Sequence, residues 1–84
     1  MLLELEKGKK TVGRKQSQRA VLSGTAERVF LAGDADERIR QETEALCQAH
    51  GVPVTMVATM EQLGRACGIQ VGAAAAALLR EQQD

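Results

Sequence analysis

Residues 63–79 read LGRACGIQVGAAAAALL, and this stretch decides the fold. A short helix that carries Leu63 inward is expected to end at Gly68, and a glycine-flanked loop with two aliphatic side chains follows. The apolar run Ala73–Leu79 then admits two states. Alanine favours a helix by intrinsic propensity, whereas small apolar side chains also suit a central strand covered by helices on both faces. The residues alone leave both states open.

The segments before this stretch alternate between strand and helix. In chain order they are a brief strand at Lys10–Val12, a helix at Arg14–Ser23, a strand at Arg28–Ala32, a helix at about Glu37–His50, and a strand at Val52–Val57. Leu2–Glu6 is compatible with a short helix or a frayed end. Thr59 and Gln62 match a capping box at the start of the helix that carries Leu63. This alternation predicts an α/β fold.

The composition limits the size of the protein and the kind of partner. Eighty-four residues allow one small domain, residues 1–84, with a modest aliphatic core. Phe30 is the only aromatic residue, so the chain lacks the stacking platform of common single-strand RNA and DNA binders. The start, MLLELEKGKK, does not resemble a secretory signal, and no apolar run is long enough to span a membrane. We therefore expect a cytosolic protein without a membrane partner.

The charge is divided unequally along the chain. Residues 1–28 hold seven basic and three acidic side chains, a net of +4, and residues 29–84 hold four basic and eight acidic ones, a net of −4. The formal total is zero, which argues against a general nucleic-acid coat protein. The asymmetry instead suggests an anionic partner for the first third of the chain.

The sulfur and imidazole side chains do not form a metal motif. Cys47 and Cys67 are twenty positions apart, and His50 is the only histidine. A zinc site needs about four ligands, so we expect no metal and no other cofactor. A disulfide between the cysteines is conceivable, but a cytosolic setting favours free thiols. His50 is expected at a helix end and not as a catalytic base, because no partner is identifiable.

The stretch Gly13–Arg19 combines a glycine with a helix start rich in long polar and cationic side chains. The glycine permits close approach of a partner to the backbone, and the free N–H groups of the first helical turn attract anions. Lys15 and Arg19 are four apart and share one face, with Gln16 and Gln18 beside it. These groups suit phosphates and base edges. A solvated amphipathic helix would have the same pattern, so the stretch alone does not decide.

Three acidic residues follow the predicted strand Arg28–Ala32. Asp34 and Asp36 can both cap the next helix, and Glu37 complements its dipole. Since no companion acid, base or metal ligand is in view, capping explains these residues without catalysis.

Three segments together resemble one family, the kink-turn RNA-binding ribosomal proteins of the L-seven-Ae and L-thirty-e superfamily. They are Gly13–Gln16 before a helix, Leu31–Asp36 after a strand and, most specifically, Leu63–Val71. The resemblance covers roughly residues 9–79 and is greatest to the short bacterial ribosome-associated members. It implies a three-layer α/β/α sandwich with a mixed four-stranded sheet, in which the alanine run is the last strand.

The resemblance also implies a non-enzymatic function and a set of RNA contacts. The chain would bind kink-turn RNA, in ribosomal or riboswitch RNA, as a monomer that associates with the ribosome. The residues matching the helix that reads tandem sheared G·A pairs and neighbouring phosphates are Gly13, Arg14, Lys15, Gln16 and Arg19. The loop matching Gly68, Ile69, Gln70 and Val71 would shelter the bases of the three-nucleotide bulge. Asp36 and Arg40 would flank the flipped-out nucleotide.

The sequence departs from the family pattern at three places. Lys15-Gln16 replaces the asparagine-glutamate pair of archaeal and eukaryotic members, Gly33 replaces an acidic residue, and Arg40 stands where an aliphatic residue packs beside the flipped base. A protein–protein adaptor on the same fold is the alternative function. A substrate-recognition domain of an RNA-modifying enzyme would need a catalytic domain that these residues do not provide.

Overall fold

In the computed structural model, which describes residues 2–80, helices and strands alternate along the chain as the sequence predicts. The elements are α1 (Leu2–Lys7), β1 (Lys10–Val12), α2 (Arg14–Leu22), β2 (Ala26–Ala32), α3 (Glu37–Ala49), β3 (Val54–Val57), α4 (Met60–Ala66) and β4 (Ala75–Leu79). The predicted bounds agree to within two residues. The polar tail predicted from Arg80 onward lies outside the described residues after its first position.

The four strands form one mixed sheet in the order β1-β4-β2-β3. The last strand, β4, lies between β1 and β2 and is antiparallel to both, whereas β2 and β3 are parallel. This confirms the mixed four-stranded sheet that the family resemblance implies. It also means that β1, β2 and β3 all end at the same edge of the sheet, where β4 begins.

The alanine run is a strand, against its helix propensity. Ala76 pairs with Val12 on one side and with Phe30 on the other, and Ala75, Ala76 and Ala77 are all 0% exposed. The neighbouring strands β1 and β2 therefore satisfy the hydrogen-bonding needs of the β4 backbone, and helices cover both faces of β4. Tertiary pairing outweighs the local preference here.

Two separate cores confirm the three-layer arrangement. Successive side chains of a strand point to opposite faces, so Phe30 and Val29 enter different cores. The core under α1 and α4 contains Leu5, Phe30, Ala32, Val57, Leu63, Ala76 and Leu78. The core under α2 and α3 contains Ala20, Val21, Ala26, Val29, Cys47 and Ala77. Ala20 and Val21 are buried as predicted.

The two aspartates after β2 cap different helices. Asp36 caps α3 as predicted, because its Oδ1 accepts a hydrogen bond from the Arg38 backbone N–H at 2.8 Å. Asp34 does not cap α3; its Oδ1 accepts from the backbone N–H of Met60, the first residue of α4, at 2.7 Å. Thr59 caps the same helix through the N–H of Gln62 at 3.1 Å. Within residues 2–80, the returning bond of the predicted capping box is not formed.

Both cysteines are buried free thiols. Burial raises the pKa of the Cys47 thiol, and the nearby Glu44 carboxylate raises it further. Burial also raises the pKa of the Cys67 thiol, which Lys10 opposes only in part. A raised pKa disfavours the reactive thiolate, so both cysteines serve the core. His50 is exposed at the end of α3, where the sequence predicts it. Among residues 2–80, no helix has the length and apolarity needed to cross a membrane.

Candidate nucleic-acid interface

One edge of the sheet brings the predicted site segments close together. The N–H of Gly13, after β1, donates to the carbonyl of Ala75 at 2.8 Å, and the N–H of Ala32 donates to Ala74 at 2.9 Å. The N–H of Gly33, after β2, donates to the carbonyl of Val57 at 2.7 Å. The start of α2, the turn between β2 and α3, and the loop before β4 therefore share this edge, which we call the site edge.

The start of α2 has the backbone form that the sequence predicts. Gly13 has φ 111°, a conformation that favours glycine, and no side chain caps the helix. The carbonyl of Gly13 accepts the N–H of Ser17, but the N–H groups of the first turn have no intrahelical partner. These groups are available to an anion at the site edge.

The long side chains of α2 have different surroundings. Arg19 lines an open cleft with Thr25 and Leu79, which lie at the opposite end of the sheet from Gly13. Lys15, Gln16 and Arg19 are exposed. The side-chain carbonyl of Gln16 lies over Gly13, so closely that a Cβ at Gly13 would be 2.8 Å from it. Gln18 instead donates to the Thr43 hydroxyl at 3.3 Å and links α2 to α3. Gln18 is therefore a structural residue, although the sequence groups it with Gln16.

The turn between β2 and α3 shares a cleft with α2. Arg14 and Asp36 line this open cleft of about 910 Å³, together with residues of the first turns of α3. Arg40 is not among the residues that line it. Its Nε donates to the carbonyl of Ala35 at 3.1 Å, so the side chain folds back onto the turn. The departure at Arg40 is thus accommodated by a hydrogen bond within the protein.

The departure at Gly33 has a packing explanation. A Cβ at this position would be 3.3 Å from the carbonyl oxygen of Ala58 and 3.5 Å from that of Val57. The missing side chain allows the turn after β2 to lie close to the turn after β3. The acidic residue common in the family would have to displace this backbone.

The loop before β4 exposes the predicted apolar side chains. Ile69 is 36% exposed and Val71 is 70% exposed, and Gly68, which precedes them, has φ 77°. The buried Gly64 lies directly beneath the loop, where a Cβ would collide with the carbonyl of Val71. Gly64 therefore lets the loop pack against α4 with its aliphatic side chains directed outward.

A second cleft, of about 600 Å³, lies beside this loop. The predicted residues Ile69, Gln70 and Val71 line it together with Asp34, Met60 and Arg65. The sequence does not identify these last three as site residues. The sequence accounts for Asp34 as a helix cap. Arg65 forms an exposed i,i+4 ion pair with Glu61 at 3.5 Å, which is an ordinary role within its own helix. Only the three-dimensional arrangement brings them to the loop.

The site edge therefore combines cations and free backbone N–H groups at one end with aliphatic side chains at the other. Phosphate oxygens and base edges bind to the first kind of group, and unstacked base faces pack on the second. Within residues 2–80, no cluster of histidine, cysteine, aspartate or glutamate has the form of a metal site.

Comparison with known proteins identifies a family and relatives that match most of the chain. The sequence profile of the family described as "Ribosomal protein L7Ae/L30e/S12e/Gadd45 family" matches residues 2–84. The "RNA-binding protein YbxF" of Geobacillus stearothermophilus is 49% identical over 76 residues, which cover 90% of this chain and 93% of the relative. An RNA-binding protein of Caldanaerobacter subterraneus is 42% identical over 69 residues, 82% of this chain and 84% of the relative.

The solved structures agree with the sequence comparison. The structure described as "Giardia lamblia 15.5kD RNA binding protein" superposes with a TM-score of 0.89 and 28% identity. The alignment covers 96% of this chain and 72% of the Giardia chain. A profile match over nearly the whole length, relatives near half identity and the shared fold agree: the chain belongs to the ribosomal protein L7Ae/L30e/S12e/Gadd45 family.

Proposed function

We propose that this protein binds RNA and recognises the kink-turn, stabilising its kinked form. One observation carries the proposal: a polar helix start and an apolar loop lie on the same edge of the sheet. Relatives named as RNA-binding proteins, which align with 80–90% of the chain, support it. A kink-turn needs both kinds of surface, because it exposes base edges in a widened groove and unstacked bases in a bulge.

The physical chemistry of RNA favours a kinked target. Ordinary A-form RNA hides its base edges in a deep, narrow groove, so sequence-specific proteins read bulged or distorted RNA. In the proposed complex the start of α2 enters the widened groove, where Gly13 permits close approach. Lys15 and Gln16 then contact the sheared G·A pairs, and Arg14 and Arg19 contact phosphates.

The remaining contacts belong to the bulge. The loop Gly68–Val71 covers the unstacked bases with Ile69 and Val71, which replace the aromatic platforms of other RNA-binding proteins. Asp36 and the first turn of α3, to Arg40, flank the flipped-out nucleotide. The function is non-enzymatic, since binding and stabilising the kink require no nucleophile or proton transfer.

The central experiment is a gel shift that compares two RNA duplexes of equal length and charge. One carries a kink-turn, and in the other the sheared G·A pairs are replaced by Watson–Crick pairs. We expect clear preference for the kink-turn at physiological salt. Equal binding of both duplexes would contradict specific readout. Weak, equal binding together with capture of a protein partner would favour the adaptor function instead.

We further propose that the protein acts as a monomer on ribosomal RNA. Sedimentation of cell extracts through a sucrose gradient tests the association. Antibody signal that moves with the ribosomal particles, and leaves them at high salt, would support a phosphate-dependent contact. A signal confined to the top of the gradient at low salt would point to a different RNA, such as a riboswitch.

A further inference from the structure

The cleft beside the apolar loop contains a carboxylate that the proposed RNA contacts do not use. Asp34 lines this cleft of about 600 Å³ together with Met60, Ile69, Gln70, Val71 and the ion pair between Glu61 and Arg65. Two aliphatic walls and a methionine suit the flat face of a nucleobase. The lining holds two carboxylates, Asp34 and Glu61, and one cation, Arg65, which already pairs with Glu61 at 3.5 Å. The cleft therefore offers an acceptor to a hydrogen-bond donor and disfavours phosphate. The lining therefore favours entry of a base, edge first, and not of the RNA backbone.

The carboxylate is fixed relative to the loop by a short chain of hydrogen bonds. Oδ1 of Asp34 accepts from the N–H of Met60 at 2.7 Å, across 26 positions of sequence. The carbonyl of Met60 in turn accepts the N–H of Ala73, at the end of the loop, at 3.0 Å. Gly72 also packs on Met60, since a Cβ there would be 3.1 Å from the Met60 Cβ. These contacts therefore fix the position of the Asp34 carboxylate relative to the loop.

The second carboxylate oxygen remains available to a ligand. Within the described part of the chain, the only hydrogen bond to the Asp34 side chain is the one to Oδ1, and the residue is exposed. A carboxylate has about four lone-pair sites and no donor. Both oxygens can therefore accept from a ligand, with Oδ1 using its second lone pair.

The four bases differ in what they offer to such an acceptor. Guanine presents two adjacent donors, N1–H and the N2 amino group, on its Watson–Crick edge. Uracil has one donor between two carbonyl oxygens, and adenine and cytosine each have an amino group beside an acceptor nitrogen. Two donors side by side match a carboxylate, and adjacent acceptors oppose it. Unstacked bases in bulges expose this edge for recognition.

We propose that Asp34 is a specificity-determining residue that selects guanine at the bulge nucleotide bound in this cleft. The inference rests on the proposed kink-turn function and adds a base preference to it. Asp34 both organises the loop, through Met60, and reads the base edge.

The RNA-side test leaves the protein unchanged. Each of the three bulge positions is varied singly to guanine, uracil, cytosine and adenine, and affinity is measured by fluorescence anisotropy at constant salt. We expect one position to favour guanine over adenine by about tenfold, the size of a bidentate contact. Inosine at that position, which lacks the N2 amino group, should fall between them, and N1-methylguanine should lose the whole preference. No guanine preference at any position would overturn the proposal.

The protein-side test separates base reading from loop organisation. Asp34→Asn keeps an oxygen for the Met60 N–H but adds an amide donor, so the preference should move from guanine toward adenine. Amide hydrogen exchange at Ala73 should remain close to wild type in Asp34→Asn and rise in Asp34→Ala. A guanine preference that persists in Asp34→Asn with a protected Ala73 amide would overturn the assignment. If that amide loses protection, the inosine and N1-methylguanine results decide.

These outcomes are distinct from failure of the proposed function. Discrimination between sheared G·A and Watson–Crick pairs depends on α2 and should be retained by every Asp34 variant. Loss of that discrimination in wild type would refute kink-turn recognition itself. Retained discrimination without a bulge-base preference would refute only the role of Asp34.

Discussion

Lys15 and Gln16 are the two residues on which base reading depends in the proposed complex. Both are exposed at the first turn of α2, and Gln16 already lies against the backbone of Gly13. Lys15→Ala and Gln16→Ala should each weaken kink-turn binding by roughly 1–3 kcal/mol if these side chains contact base edges. Isothermal titration with the kink-turn duplex and with its Watson–Crick counterpart measures the effect.

Matched controls for this prediction lie at the opposite end of the sheet. Lys7→Ala removes an exposed lysine before β1, and Gln48→Ala removes an exposed glutamine near the end of α3. Both should bind the kink-turn as wild type does. A variant of Lys15 or Gln16 that also behaves as wild type would disprove the assignment of that residue. Equal weakening on both duplexes would indicate a phosphate contact and not base reading.

At the scale of the element, β4 is a central strand on which only small side chains fit beneath the covering helices. Ala77 is 0% exposed and packs with Val21, Val29 and Cys47 under α2 and α3. Ala77→Val should lower the free energy of unfolding by about 1–3 kcal/mol, because the added methyl groups overpack this core. Urea denaturation followed by circular dichroism measures the change.

An exposed alanine provides the comparison for β4. Ala45→Val, on the outer face of α3, changes only helix propensity and should cost less than about 0.7 kcal/mol. If Ala77→Val were as stable as wild type, the covering helices would have room to move, and close packing would not explain the alanines of β4.

The same element shows what the sequence can and cannot predict. α2, α3 and β2 follow from periodicity and length, since each is defined by its own residues. The state of β4 depends on hydrogen bonds to β1 and β2, which are distant in sequence, and the family resemblance was needed to predict the strand. Likewise, the local sequence predicts that Asp34 caps α3, whereas the backbone N–H that it accepts belongs to Met60, 26 positions away. Contacts between distant segments leave no local pattern to read.

The candidate site was likewise predictable only where its residues have a local sequence pattern. The helix start at Gly13 and the exposed Ile69 and Val71 are where the sequence predicts them. Arg65 and Met60 were missed, because each has an ordinary role in its own helix. Arg40 lies in the first turn of α3, as the sequence predicts, but the spacing of residues could not predict its hydrogen bond to the Ala35 carbonyl.

At the scale of the whole molecule, the division of charge gives the sharpest electrostatic prediction. The chain has no formal net charge, so attraction to RNA must come from where the cations lie. Replacing Arg14, Lys15 and Arg19 together by glutamine should reduce the slope of log affinity against log salt by about two, because Arg14 and Arg19 are the proposed phosphate contacts and each such contact contributes about 0.9. The triple replacement of Lys7, Lys9 and Lys10 removes the same charge from the far end of β1. That control should leave the slope close to wild type, measured by anisotropy across a salt series. Equal losses in the two triple variants would mean that net charge governs binding, and that the arrangement of cations along α2 does not.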